Sequence, residues 1–260
     1  MTLLKLSVTT RQMTRMAWGA AMIGVSVLGS AVTVAAQQDG RVFISVNGGL
    51  QASSTDFTDN IVFTEFLEEG DLDTAYSIDS GAVIDIGGGF KLLDNLGIGV
   101  GFSRFDTSND AAVDARIPHP FFYDRPRSIA GSATNLTRRE TAVHIQVRWF
   151  TSVLDQVDLS LFGGPTFFNL TQGLVTAVDF SHTYPFDEAS FTSADTGDQV
   201  ASAVGFHVGA DVGYFFSRYV GVGALVRFSG ATVDLVSEDG GTISIDTGGF
   251  HVAGGLRLRF

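Results

Sequence analysis

The last thirteen residues, GGFHVAGGLRLRF (248–260), decide the fold class because apolar and polar side chains alternate along them. This alternation is the period of a β-strand, whose successive side chains point to opposite faces. One face carries Phe250, Val252, Leu256, Leu258 and Phe260. The other face carries His251, Ala253, Gly255, Arg257 and Arg259. In a soluble sandwich the apolar face would point inward, whereas in a membrane barrel it would point to lipid, and the rest of the chain has to distinguish the two.

Segments with the same period recur along the chain, and no window after residue 37 has a convincing helical period. The eight predicted strands are 41–51, 82–93, 96–105, 138–150, 157–168, 201–216, 220–237 and 242–260. Short connections (94–95, 154–156, 217–219) alternate with long ones (about 52–81, 106–137, 169–200). This alternation and an even strand number are typical of transmembrane barrels with short periplasmic turns and long outer loops. The sequence therefore predicts an all-β, eight-stranded antiparallel up-and-down transmembrane β-barrel.

The strand faces opposite the aliphatic rows carry charged side chains of both signs. An arginine facing lipid would cost about 2–4 kcal/mol at the middle of the bilayer. An eight-stranded barrel has an interior that side chains just fill, so we expect these groups to point inward, where each arginine needs a carboxylate partner. The predicted polar network of the lumen is Asp85, Glu140, His144, Arg148, Asp158, His207, Asp211, Arg227, His251 and Arg257. This inventory predicts a lumen plugged by side chains.

The N-terminal segment differs from the rest of the chain. A basic start without acidic residues (1–15) precedes an apolar run (16–36) that ends with the small residues Val34 and Ala36 at the positions a signal peptidase requires. This pattern predicts a signal peptide over 1–36 and a barrel domain over 37–260. A retained transmembrane helix fits the cleavage-like end less well.

Composition excludes several classes of function. Without the predicted signal peptide the chain has 13 basic and 28 acidic residues, a net charge of −15. This charge disfavours binding to nucleic acid, which requires a basic surface. The chain contains no cysteine, so neither a disulfide framework nor a thiolate metal or redox site is available.

Three local features lead to further expectations about the strands. Pro165 lies inside the fifth predicted strand and removes a hydrogen-bond donor, which predicts a bulge or kink. Arg104 falls on the lipid-facing side, so it is expected to snorkel at the outer rim. Aromatic residues at the predicted periplasmic strand ends indicate an interfacial girdle, namely Trp149, Phe150, Tyr214, Phe216, Tyr219 and Phe260.

The strand rhythm and the ending LRLRF (256–260) resemble the small eight-stranded outer-membrane barrels of Gram-negative bacteria, the family of the outer-membrane protein A transmembrane domain and the opacity-type, porin-like proteins. The resemblance covers essentially all of 37–260. It implies a location in the bacterial outer membrane, in contact with lipid and lipopolysaccharide. It also implies that the barrel-assembly machinery reads Leu256, Leu258 and Phe260. No peptidoglycan-binding domain follows the barrel, so anchoring of that kind is not implied.

Other kinds of site are less favoured. His144, His207 and His251 face inward on strands that are not neighbours, and polar filling of the lumen explains them more simply than a metal site. Two enzyme types on similar barrels, the lipid A palmitoyltransferase and deacylase, use a serine and a histidine near the outer surface. Here His182, with Ser181 and Ser190, does not form a recognisable triad. We therefore expect neither catalysis nor a cofactor.

The outer connections carry the remaining information on function. The first (52–81) holds eight acidic residues and no basic one, and a solvated acidic surface explains it better than a calcium site. The second (106–137) contains IPHPFFYDRP (117–126), whose prolines and aromatic rings offer a stiff stacking surface, and we expect it to be the recognition loop. The predicted function is a non-enzymatic outer-membrane protein that is structural or presents loops for recognition or adhesion, with a porin-like transporter of small solutes as the alternative.

Overall fold

The computed structural model describes residues 41–52 and 55–260. The predicted signal peptide, 1–36, lies outside the described residues. No helix in the described part of the chain is long and apolar enough to cross a membrane. The strands are β1 (Val42–Ala52), β2 (Thr55–Glu65), β3 (Glu68–Ile78), β4 (Gly81–Leu93), β5 (Leu96–Ile117), β6 (Arg127–Leu154), β7 (Val157–His182), β8 (Ala189–Phe215), β9 (Val220–Val236) and β10 (Thr242–Arg259).

Eight of these strands close into a ring of antiparallel neighbours. From β4 to β10 each strand pairs with the next one along the chain. β1 then closes the ring by pairing with both β4 and β10, for example through Val46, which lies opposite Ile86 on one side and Leu256 on the other. The predicted fold class, an eight-stranded antiparallel up-and-down barrel, is confirmed.

β2 and β3 form a hairpin outside this ring, within the first long connection. β3 pairs with the far half of β5, from Asp71 opposite Arg116 to Tyr76 opposite Ala111. The expectation of long outer loops is therefore wrong for most of the three connections. β5 to β8 are 22 to 28 residues long, and apart from the short turn 155–156 only 118–126 and 183–188 lie between them.

The chemistry of the two strand faces reverses along β5. From Ile98 to Phe102 the outward side chains are apolar, and the inward positions are glycine or serine. From Arg104 onward the outward side chains are mostly charged or polar, whereas inward positions from 111 to 117 are alanine, valine and isoleucine, all buried. Since about 9–11 residues of a tilted strand cross a bilayer, residues 96–105 fit the crossing segment and Arg104 lies at the outer rim, as expected.

The outward side chains of β6 to β10 change in the same way. Their last apolar residues before the change are Val143, Phe167, Val204, Phe228 and Phe250, corresponding to Phe102 on β5. We call the part of the fold beyond this level, residues 55–78, 106–138, 172–200 and 231–248, the extension. Its position beyond a complete apolar belt indicates that it projects out of the membrane into water.

The extension is built like a soluble domain, with its apolar side chains inside. Its core is formed by Ile61, Leu72, Tyr76, Ala111, Val113, Ala115, Ile117, Ile129, Ala133, Leu136, Leu174, Val175, Val233, Leu235, Ile243 and Ile245, with Leu170 at its base. The Tyr76 hydroxyl accepts a hydrogen bond from the Val175 backbone N–H at 2.8 Å, and its ring stacks on Phe57 at 4.4 Å between centroids. Residues 231–236 and 242–247, at the end of the β9–β10 hairpin, remain paired and cover this core.

Two further expectations concern Pro165 and the aromatic girdle. Pairing between β6 and β7 is interrupted opposite Pro165: Ile145 and Gln146 have no partner on β7. At the strand ends predicted to be periplasmic, Trp149, Tyr214, Phe216, Tyr219 and Phe260 are exposed, as a girdle requires. The assignment of Phe150 to the girdle is wrong, because its ring turns into the mouth of the lumen and packs against Phe43 at 5.3 Å.

Candidate functional site

Two linked ion pairs cross the lumen. Arg227 Nη1 contacts Asp85 Oδ2 at 2.7 Å, and Arg257 donates to both carboxylate oxygens of Asp211, at 3.0 and 2.6 Å. Asn47 joins the pairs, since its Nδ2 donates to Asp85 Oδ1 and its Oδ1 accepts from Arg257 Nη1. All five side chains are buried, and each charge has an opposite charge as its partner.

A third ion pair closes the outer end of the lumen. Arg138 is fully buried and contacts Glu140 Oε1 at 2.6 Å. The second oxygen of Glu140 accepts from Gln51 Nε2 at 3.0 Å and from the Gly248 backbone N–H at 2.9 Å. Sequence reasoning left Arg138 out of the predicted network. Its position two residues before Glu140, on the same face of β6, was the signal that could have found it.

The histidines form a hydrogen-bonded chain with hydroxyl groups. Ser103 Oγ bonds His144 Nε2, His144 Nδ1 bonds Thr166 Oγ1, and Thr166 Oγ1 bonds His207 Nδ1, each at 2.9 Å. The rings of His144 and His207 lie 4.8 Å apart although their strands are not neighbours, because the lumen is narrow. His251 bonds Ser229 Oγ at 3.1 Å and lies beside Arg227.

This arrangement fills the lumen with side chains that contact one another. No cluster of three potential metal-binding side chains occurs within 41–52 and 55–260. The Ser103–His144 pair resembles part of a nucleophilic triad, but the third partner is the Thr166 hydroxyl rather than a carboxylate, and all three groups are buried. Most polar atoms of the lumen are satisfied by one another.

The remaining predicted site residues lie at the periplasmic end. Asp158 contacts Arg259 Nη1 at 2.7 Å and is partly exposed. The expectation that Arg148 pairs with a carboxylate is wrong, because none lies within 4.0 Å of it in the described residues. In the predicted assembly signal, Leu256 points outward, Leu258 is half-buried, and the backbone of Phe260 pairs with that of Val42 through two hydrogen bonds of 2.9 Å.

The far end of the extension carries a cluster of exposed aromatic and apolar side chains, which we call the tip. It comprises the β2–β3 turn (66–67) and the loops 118–126 and 183–188, and its most exposed large side chains are Leu67, Phe121, Tyr123 and Tyr184. Phe121 packs edge-on against Phe186 at 5.5 Å, so rings from the two loops meet.

Arg127 and His119 hold the tip together. The buried guanidinium of Arg127 donates to the backbone oxygens of Pro118 and Phe186 and contacts His182 Nδ1 at 2.9 Å. Desolvation lowers the pKa of His182, so the neutral ring accepts this hydrogen bond at pH 7. His119 Nδ1 accepts from the backbone N–H groups of Phe121 and Phe122. In the predicted recognition loop (106–137), Arg127 therefore holds the backbone in place, and the aromatic rings are exposed.

The acidic connection is organised as the β2–β3 hairpin. Asp71 binds Arg116 on the neighbouring strand at 2.7 Å, and Glu68 accepts from the Asp124 backbone N–H at 2.6 Å. Asp59 is buried and accepts a hydrogen bond from Ser237 Oγ at 3.1 Å. Desolvation raises the pKa of the Asp59 carboxyl. These acids therefore hold the hairpin onto β5 and β9 as well as facing solvent.

No family model matches the sequence, and no curated protein matches it significantly. The structure is similar to that of the outer membrane protease OmpT from Escherichia coli, with 9% identity and a TM-score of 0.49 over 88% of this chain and 99% of that one. Neisserial surface protein A has 11% identity and a TM-score of 0.46 over 84% and 97% of the two chains. Ail, the attachment invasion locus protein of Yersinia pestis, has 8% identity and a TM-score of 0.36 over 85% and 100%. At these values no activity is carried over to this chain.

Proposed function

We propose that this protein is a non-enzymatic barrel of the bacterial outer membrane that presents the tip for recognition or adhesion at the cell surface. The observation that carries the proposal is the continuation of the barrel strands beyond the apolar belt. From Asp106 to Ile117, β5 runs about 36 Å along its own direction, at roughly 3.3 Å per residue. A packed core supports this length, so the aromatic side chains are held far from the membrane.

The composition of the tip suits contact with another molecule. Monomeric soluble proteins rarely leave large apolar groups clustered in water, and such clusters usually mark an interaction surface. Tyrosine and phenylalanine offer large contact areas at little cost in conformational entropy. The hydrogen bonds of Arg127 and His119 fix the loops before binding, which reduces the ordering cost further.

The lumen supports presentation rather than transport. The lumen contains three ion pairs and a chain of histidine and hydroxyl groups, all of them buried side chains. Moving a solute past them would require separating buried ion pairs, at a cost of several kcal/mol for each one. Lipid, lipopolysaccharide and the barrel-assembly machinery remain the proposed partners of the barrel wall and of the terminal strand.

The proposal is tested with cells that display the wild-type protein or a tip variant, Phe121→Ser, Tyr123→Ser and Tyr184→Ser combined. Binding of these cells to a panel of purified glycans and extracellular matrix proteins is measured. We expect the wild type to bind at least one component and the tip variant to lose that binding, because the stacking surface is gone. A control with Ser108→Ala and Ser132→Ala, on the exposed sides of the extension, should bind like the wild type.

Planar-bilayer conductance of the purified barrel distinguishes the proposed function from the rival one, transport of small solutes. Presentation with a plugged lumen predicts no steady channel. Reproducible open channels, together with cell binding equal to that of cells lacking the protein, would contradict the proposal and favour a porin-like transporter.

A further inference from the structure

The periplasmic mouth of the lumen contains a small cavity with an excess of positive charge. Its volume is about 40 Å³. Its charged lining consists of Lys91, Arg148, Arg257 and Arg259 against Asp158 and Asp211. Arg257 and Arg259 already hold the two carboxylates, at 2.6 and 2.7 Å. Lys91 and Arg148 are therefore left without an anionic partner among the residues that the structure describes.

Arg148 is the more unusual of these two cations because it is 5% exposed. Its Nη1 donates a long hydrogen bond of 3.3 Å to Ser160 Oγ, and its Nε has no acceptor. The rings of Phe43 and Phe162 lie 5.0 and 4.7 Å from its Cζ. Such rings stabilise the face of a guanidinium, but they provide no acceptor for its in-plane N–H groups.

The other buried arginines of the lumen show what Arg148 lacks. Arg138, Arg227 and Arg257 each contact a carboxylate at 2.6 to 2.7 Å. A buried charge is normally paired, since an unpaired one carries a desolvation cost that nothing offsets. The mouth therefore has unpaired positive charge for one additional anion.

The cavity has room for such an anion. On the volume scale that gives 40 Å³, one water needs about 10–15 Å³, so a monatomic anion fits together with a water or two. Phe150 and Phe215 also line the cavity, and Lys91 Nζ lies 4.7 Å from the centroid of the Phe150 ring. A weakly hydrated halide suits such an aromatic, cationic environment.

We propose that the mouth of the barrel binds one chloride ion in contact with the guanidinium of Arg148. The ion supplies the anionic partner that Arg148 lacks and offsets the excess positive charge of the mouth. The site opens toward the periplasm, so it fills from the salt of that compartment. This inference does not depend on the proposed function of the tip.

The direct test is crystallographic, with bromide as the probe. Protein extracted from membranes is crystallised in sodium bromide, and anomalous scattering locates the ions. We expect a peak in contact with Arg148 in the wild type. Arg148→Gln should bind the halide at least about tenfold more weakly, because a charge-assisted hydrogen bond is lost. Arg139→Gln removes an exposed arginine at the outer rim and is the matched control, which should keep the peak.

A solution measurement supports the same conclusion. The urea midpoint of unfolding is compared in sodium chloride and in sodium gluconate of equal ionic strength, since gluconate is a bulky, strongly hydrated anion that suits the aromatic lining poorly. Chloride should raise the midpoint of the wild type and of Arg139→Gln but leave that of Arg148→Gln unchanged. If Arg148→Gln does not fold, Arg148→Lys keeps the charge with fewer fixed donors and should show a reduced chloride effect.

Three results would overturn the proposal. The first is a site in wild-type crystals that contains water alone. The second is an adventitious ion only, bound equally by Arg148→Gln. The third is a chloride effect on the urea midpoint that is the same for the wild type and Arg148→Gln.

Discussion

Replacing Asp211 with alanine is expected to lower the free energy of unfolding by about 3–5 kcal/mol. The substitution removes both carboxylate contacts of Arg257 and leaves that guanidinium buried in the lumen with only Asn47 and a backbone oxygen as acceptors. An uncompensated buried charge is among the most destabilising single changes in a protein. Urea unfolding of the barrel in lipid vesicles, followed by tryptophan fluorescence, measures the loss.

Asp158→Ala is the matched control for this prediction. Asp158 also pairs with an arginine, Arg259, at 2.7 Å, but both side chains are partly exposed. Removing Asp158 should therefore cost no more than about 1 kcal/mol. The double variant Asp211→Leu and Arg257→Met, which removes both charges, should recover most of the lost stability. Equal losses for Asp211→Ala and Asp158→Ala would show that the lumen is solvated, contrary to this account.

Replacing Val100 with arginine is expected to lower the free energy of unfolding in lipid by about 2–4 kcal/mol. Val100 is exposed on the outer face of β5, near the middle of the apolar belt. An arginine there would face the hydrocarbon core of the bilayer. Unfolding in vesicles measures the effect, and a reduced yield of protein in the outer membrane should accompany it.

Ala112→Arg provides a control on the same face of the same strand. Ala112 points outward from the extension between Asp110 and Asp114, so an arginine there meets water and two carboxylates. Its effect should stay within about 0.5 kcal/mol. A penalty at Ala112 as large as that at Val100 would place this part of β5 in lipid.

The alternation of side chains was sufficient to predict the barrel and the full length of β9 and β10, but not the length of β5 to β8. In the crossing segments, outward residues such as Ile98 and Val100 are apolar and favour strands, so the pattern is easy to recognise. In DTSNDAAVDARI (106–117) the alternation continues with aspartate, asparagine, serine and alanine, which are poor strand formers. Pairing with β3 and β6 and the apolar core of the extension hold this segment in strand form nevertheless.

The site was predictable only to the level of which residues point inward. Strand parity placed the arginines and the acids in the lumen, but a contact across the lumen depends on how far each strand is shifted along its neighbours. Arg257 therefore meets Asp211, while Arg148 on β6 meets aromatic rings and Asp158 meets Arg259. The alternation of side chains shows which face a residue lies on, but not how far along the barrel it lies. Phe150 was assigned to the girdle although the alternation places it on the inward face with Arg148.

The most direct test of this account measures how spin labels along the outer face of β5 respond to two quenchers in lipid vesicles. Labels at Ile98, Val100 and Phe102 sample the apolar belt, and labels at Ser108 and Ala112 sample the extension. We predict that oxygen, which concentrates in lipid, dominates the relaxation of the first three. A water-soluble nickel chelate should dominate at Ser108 and Ala112, with slow label motion because the strand is paired. Oxygen-dominated relaxation at Ala112, or fast label motion there, would contradict a rigid strand that continues out of the membrane.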